Sequence, residues 1–168
     1  MKKQNFTTPE DFHTKIGMIF NASIALPLLP FVWLILEINN NDYRPMIQAG
    51  MVNEIISYAS ALVSGLIVLK GFNLYKAAKV KSESEEKLKS KLEVYSMGVQ
   101  IFYILVGVSC LIMATSLFFT ASGVLIVSYV ILLFGMSFYF PKPKQYVKDL
   151  KLEGEMKDII LNRKTFKL

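Results

Sequence analysis

Apolar residues in this chain gather into four blocks, roughly residues 16–37, 51–72, 95–119 and 121–140. Each is about 20 residues or more, the length an α-helix needs to cross ~30 Å of hydrocarbon. Between the second and third blocks lies KGFNLYKAAKVKSESEEKLKSKLE, from Lys70 to Glu93. A segment this charged cannot enter hydrocarbon, so it lies in water and separates the apolar blocks into pairs. The pattern predicts an all-α, four-helix transmembrane bundle forming one integral membrane domain over 1–168. A hairpin at 73–94 and a tail at 141–168 stand outside the membrane, the tail short and weakly amphipathic.

Local signals refine these elements. Thr8-Pro9-Glu10-Asp11 opens the first helix, with Thr as N-cap, Pro at the first helical position and acids in the first turn. Pro27 and Pro30 remove two backbone donors, so a kink is expected near Ser23–Leu26, with Asn21 and Ser23 placed to satisfy freed groups. LEINNNDYRP, from Leu36 to Pro45, reads as a polar loop. On the second helix Ser57, Ala61 and Gly65 form a small-residue row that allows close helix approach, widened by Ser60 and Ser64. Ser82-Glu83-Ser84-Glu85 fits a capping box and predicts a third helix running from about Glu83 to Phe119. Helices two and three should therefore project beyond the membrane. Thr120–Gly123 is a short turn, and Pro141 and Pro143 stop the fourth helix. No internal repeat relates the two halves.

Charge sets the orientation. The net charge is +6, and the N-terminal stretch, the central segment and the C-terminal tail hold all the lysines. The two opposite loops hold Arg44 as their sole basic residue. The positive-inside rule therefore places both termini and the central segment in the cytoplasm, in a plasma (inner) membrane of bacterial type. Lysines beside apolar blocks suit a membrane surface; nucleic-acid sites favour arginine forks interleaved with aromatics, so no nucleic acid is expected.

The residue inventory excludes several chemistries. One cysteine, Cys110, allows no intrachain disulfide and no quinone-linked disulfide exchange. A single histidine, His13, cannot supply the paired axial ligands of a membrane haem or a histidine-rich catalytic zinc site. The GxSG and GxGD motifs of membrane proteases are absent. No cofactor or metal is expected, and no catalytic set is visible.

What remains is packing and charge at the outer mouth. Glu37, Asp42 and Glu54 bias that mouth negative and form a candidate ion or proton site, against the plainer reading of hydrated headgroup-level carboxylates. Gln100 should bond to a neighbouring helix, with Tyr58 and Tyr129 as possible partners. The first functional expectation is a non-enzymatic accessory or scaffold subunit of an inner-membrane complex, or a homo-oligomer. Its partners would be the bilayer and a protein, or a second copy, bound through the Ser57–Ala61–Gly65 row. Alternatives are a small channel or ion-coupled transporter using the acidic mouth, and an immunity protein against a pore-forming toxin.

Overall fold

The structure, a computed structural model, describes residue 6 and residues 8–40 and 43–162. The described residues form six helices: α1 Pro9–Asn39, α2 Met51–Glu83, α3 Leu88–Thr120, α4 Gly123–Ser137, α5 Pro143–Asp149 and α6 Gly154–Leu161. The first three are long and apolar enough to cross a membrane; α4 is apolar but only 15 residues long. Their exposed faces, carrying residues such as Leu29, Leu62 and Phe134, suggest contact with lipid.

The start of α1 follows the expected chemistry. The Asp11 amide donates to Thr8 Oγ1 at 3.1 Å and the Thr8 amide donates to Asp11 Oδ2 at 3.2 Å, a reciprocal cap. The helix then continues through both prolines.

Between α2 and α3 the helix boundaries differ from expectation. α2 runs on to Glu83, and α3 begins at Leu88 after a short turn. No Gly or Pro stands between Phe72 and Lys87, and Lys76-Ala77-Ala78-Lys79 are strong helix formers, so nothing halts α2 at the end of its apolar block. The predicted capping serines serve the opposite end. Ser82 Oγ donates to the Lys79 carbonyl at 2.6 Å, and Ser84 Oγ to the Lys81 carbonyl at 2.8 Å. They satisfy acceptors in the last turns of α2 and do not open α3.

Two compact units divide these helices. The first comprises Met1–Phe20, Gly71–Tyr103 and Phe140–Leu168. Its core holds Phe12, Ile16, Leu92, Val99 and Leu150, all buried. At Gly98 α2 and α3 come very close, because a Cβ placed there would stand 2.2 Å from the Ala78 Cβ.

The second unit comprises Asn21–Lys70 and Ile104–Tyr139. Here α3 is buried on two sides. Ser109 Oγ reaches the Ser64 carbonyl at 3.1 Å and Ser116 Oγ donates to Ser60 Oγ at 2.8 Å, forming a polar seam with α2. Toward α1, a Cβ on Gly107 would lie 3.1 Å from the Ser23 carbonyl oxygen. That carbonyl is the one Pro27 leaves without its helical donor, so the closest backbone approach falls where α1 has lost a hydrogen bond. Tyr129 of α4 stacks on Phe31, ring centroids 3.6 Å apart.

The C-terminus of α3 shows why its helix ends cleanly. Its last four carbonyls each find a donor: Leu117 from the Ala121 amide, Phe118 from the Tyr43 hydroxyl, Phe119 from the Ile47 amide and Thr120 from Asn53 Nδ2. Asn53 also donates to the Ile47 carbonyl at 2.9 Å. One buried amide therefore joins loop, α2 and α3, the satisfaction that a helix end away from bulk water requires.

Candidate functional site

The densest polar chemistry lies in the first unit, around a residue with no obvious signature. Pro141 and Pro143 break the chain after Phe140, and Pro143 then starts α5 in the first-turn position where its missing N–H costs nothing. Six residues later, at the C-terminal end of α5, stands Asp149, 3% exposed. A helix C-terminus disfavours negative charge, so this carboxylate needs donors from elsewhere.

α2 and α3 supply them. Tyr75 donates a short hydrogen bond to Oδ2, and Tyr95 donates to the same oxygen at 2.8 Å. Lys79 Nζ pairs with Oδ1 at 3.1 Å, and Gln145 Nε2 lies 3.2 Å from both oxygens. Aromatic rings wall the group in. Tyr95 stands edge-on to Tyr75 and Tyr146, and Phe12 of α1 packs edge-on to Tyr146 with centroids 5.0 Å apart. His13 Nδ1 is 3.0 Å from the Tyr146 hydroxyl.

Burial by itself would raise the Asp149 carboxyl. The hydrogen bonds from Tyr75, Tyr95 and Lys79, with the lysine charge, outweigh it and hold the group below the usual carboxylate range. Burial, reinforced by the carboxylate, pushes the Tyr75 phenol well above its ordinary value, so it stays a donor at any physiological pH. An ionised carboxylate has about four acceptor positions, and four side chains engage those of Asp149. No lone pair is left open for a substrate. The arrangement is suited to clamping α5 onto α2 and α3.

The sign of its pH dependence follows. Because the folded group ionises more readily than the unfolded one, its stabilisation is complete above the ordinary carboxylate range and disappears as pH falls through the folded value. Near-UV circular dichroism of the clustered tyrosines should hold steady from about pH 7 to about pH 5 and collapse in stronger acid. Asp149→Asn should lack that acid transition. An identical transition in both proteins would remove Asp149 as its cause.

The residues singled out from sequence differ in burial. Ser57 is fully buried, its hydroxyl bonded back to the Asn53 carbonyl at 2.8 Å. Ala61 is half-buried, and Gly65 is exposed with no atom within 4 Å of an added Cβ. Glu37 is half-buried and Glu54 exposed; Asp42 lies outside the described residues. Among the described residues neither glutamate pairs with Arg44. Tyr58 is exposed, and Tyr129 is buried against Phe31.

Asp149 and Asn53 were not singled out from the sequence. A usable signal existed for the first: Asp149 is the lone acid between Phe140 and Lys151, four residues after Gln145. For Asn53 the neighbouring charge of Glu54 is the more conspicuous feature.

The helices and the clamp define a class, a helical protein with three segments fit to span a membrane. Comparison with known protein families, curated proteins and solved structures finds no match to this chain.

Proposed function

We infer that the chain is a non-enzymatic polytopic membrane protein, crossing an inner membrane four times with both termini and the α2–α3 turn in the cytoplasm. It serves as a packing subunit of a membrane complex or associates with itself. The observation that carries this reading is the bareness of α2. Only 17% of its apolar span is buried, against 22% for α1 and 50% for α3. Tyr58, Leu62, Gly65 and Leu69 follow one another at helical spacing on its exposed side. Gly65 forms a notch in an apolar ridge, where a partner backbone can approach and gain packing contacts that lipid does not provide. Four crossings, and not three, place every lysine-rich segment on one side; α4 at ~22 Å is short for the span and needs its flanking residues to complete it.

Gly65→Leu fills the notch from a position where an added Cβ meets no atom within 4 Å. In mild detergent it should weaken the assembly, or the hold on a co-purifying subunit, by about ten-fold or more in dissociation constant. An assembly of unchanged size and composition in Gly65→Leu and Ala61→Leu would overturn the α2 interface. Labelling of a cysteine at Lys87 from outside the cell would overturn the topology.

A further inference from the structure

A second feature of the first unit has no role in the clamp. On one side of the α2–α3 crossing a groove of about 400 Å³ runs beside the Gly98–Ala78 contact, a volume in the range of small-ligand sites. Its walls are apolar, with Leu74 and Ala77 from α2 and Met97 and Ile101 from α3. Lys81 and Glu93 stand at the end nearer the α2–α3 turn, one on each helix. They are not paired with each other: among the described residues the ion pairs are Lys79–Asp149 and Lys151–Glu83. Leu74 and Met97 remain substantially exposed. The groove thus has an apolar trough and, at one end, an unpaired cation opposite an unpaired anion.

We propose that this groove binds one phospholipid carrying a primary ammonium headgroup, with an acyl chain along Leu74, Ala77, Met97 and Ile101. Lys81 meets the phosphate, and Glu93 accepts from the ammonium. Charge complementarity selects this occupant: the headgroup offers an anion and a hydrogen-bonding cation together, matching the two rim residues. A choline headgroup has no N–H to give Glu93, and a glycerol headgroup leaves that carboxylate facing a phosphate without a cation. A second copy of the chain is a poor fit, because two-fold pairing sets concave groove against concave groove and leaves the trough unfilled. The proposal rests on the chain crossing a membrane as inferred above, which turns the Leu74–Ile101 end of the groove toward the bilayer and the Lys81–Glu93 end about 10 Å farther into the cytoplasm, so the lipid is held drawn partway out of the leaflet. It does not rest on association through α2.

The test is native mass spectrometry of the full chain, delipidated in detergent and titrated separately with dioleoyl phosphatidylethanolamine, phosphatidylcholine and phosphatidylglycerol. The expected result is a one-to-one adduct with the ethanolamine lipid, at least about ten-fold tighter than with the other two, the scale of one charge-assisted hydrogen bond. Glu93→Gln should abolish that preference, Lys81→Gln should weaken all three lipids, and Ala77→Trp should remove the adduct by filling the trough. These side chains are exposed or half-buried and outside the clamp, so near-UV circular dichroism should stay unchanged. Equal affinity for the three lipids would overturn the proposal, as would an ethanolamine preference that survives both Glu93→Gln and Ala77→Trp. A lipid-free dimer dissociated by Ala77→Trp would assign the groove to a second copy and overturn it too. Reconstitution into nanodiscs separates the two readings, since a chain that fails to insert fails the membrane reading, and one that inserts without lipid preference fails only the groove.

Discussion

Asp149→Ala is expected to lower stability by roughly 3 kcal/mol, the low end of the cost of breaking a buried ion pair, because the Lys79 side chain is 32% exposed. The loss is large because the substitution does not simply delete one contact. It leaves the Lys79 ammonium without its counter-charge and the Tyr75 and Tyr95 hydroxyls without their acceptor, all beneath α5. α5 and α6 should undock first, because Asp149 carries the hydrogen bonds and the ion pair that tie α5 to α2 and α3. The measurements are thermal unfolding in detergent and the rate of protease cleavage within 143–161, which should rise together with the drop in melting temperature. Tyr95→Phe removes one donor and leaves the charge pair, so about 1 kcal/mol is expected. The exposed Lys151–Glu83 pair, 2.9 Å apart, should contribute under about 1 kcal/mol when cut by Lys151→Ala. If Asp149→Ala proved as mild as Lys151→Ala, the carboxylate would not be the clamp described.

Gly98→Ala should be strongly destabilising, because the helix backbones meet there. The new Cβ would lie 2.2 Å from the Ala78 Cβ and 3.3 Å from the Leu74 carbonyl oxygen, and neither neighbour is a flexible chain end. α2 and α3 must separate, at roughly 1–3 kcal/mol for overpacking, and Gly98→Leu should cost more. Ala78→Gly alone costs about 1 kcal/mol of helix propensity, yet combined with Gly98→Ala it removes the clash. A thermal-stability double-mutant cycle should therefore show favourable coupling between the two sites. Gly65→Ala is the contrasting case. Nothing lies within 4 Å of its added Cβ, so the monomer should gain slightly from better helix propensity. Equal effects at Gly98 and Gly65 would mean that α2 and α3 do not meet at Gly98.

Much of the helical layout was legible along the chain because its causes are local. The apolar blocks correspond to α1 through α4, and the Thr8–Asp11 cap depends on residues three apart. The α2–α3 boundary departs from the sequence pattern for a reason that is also local. Ser82-x-x-Glu85 satisfies the pattern of a helix start, but a serine hydroxyl serves equally well as a donor to the carbonyl three residues back. With uninterrupted helix formers before it, α2 simply continued.

Sequence alone determined that this protein is helical, that three of its apolar segments lie in helices long enough for a membrane, and that its lysines crowd into three segments. Each of those properties is written in composition and in spacings of a few residues. Tertiary structure alone decided which polar groups matter. Asn53 meets the Thr120 carbonyl across 67 positions, and Tyr75 meets Asp149 across 74. A buried polar atom takes whatever partner the fold brings within hydrogen-bonding distance, and no periodicity records which distant residue that is.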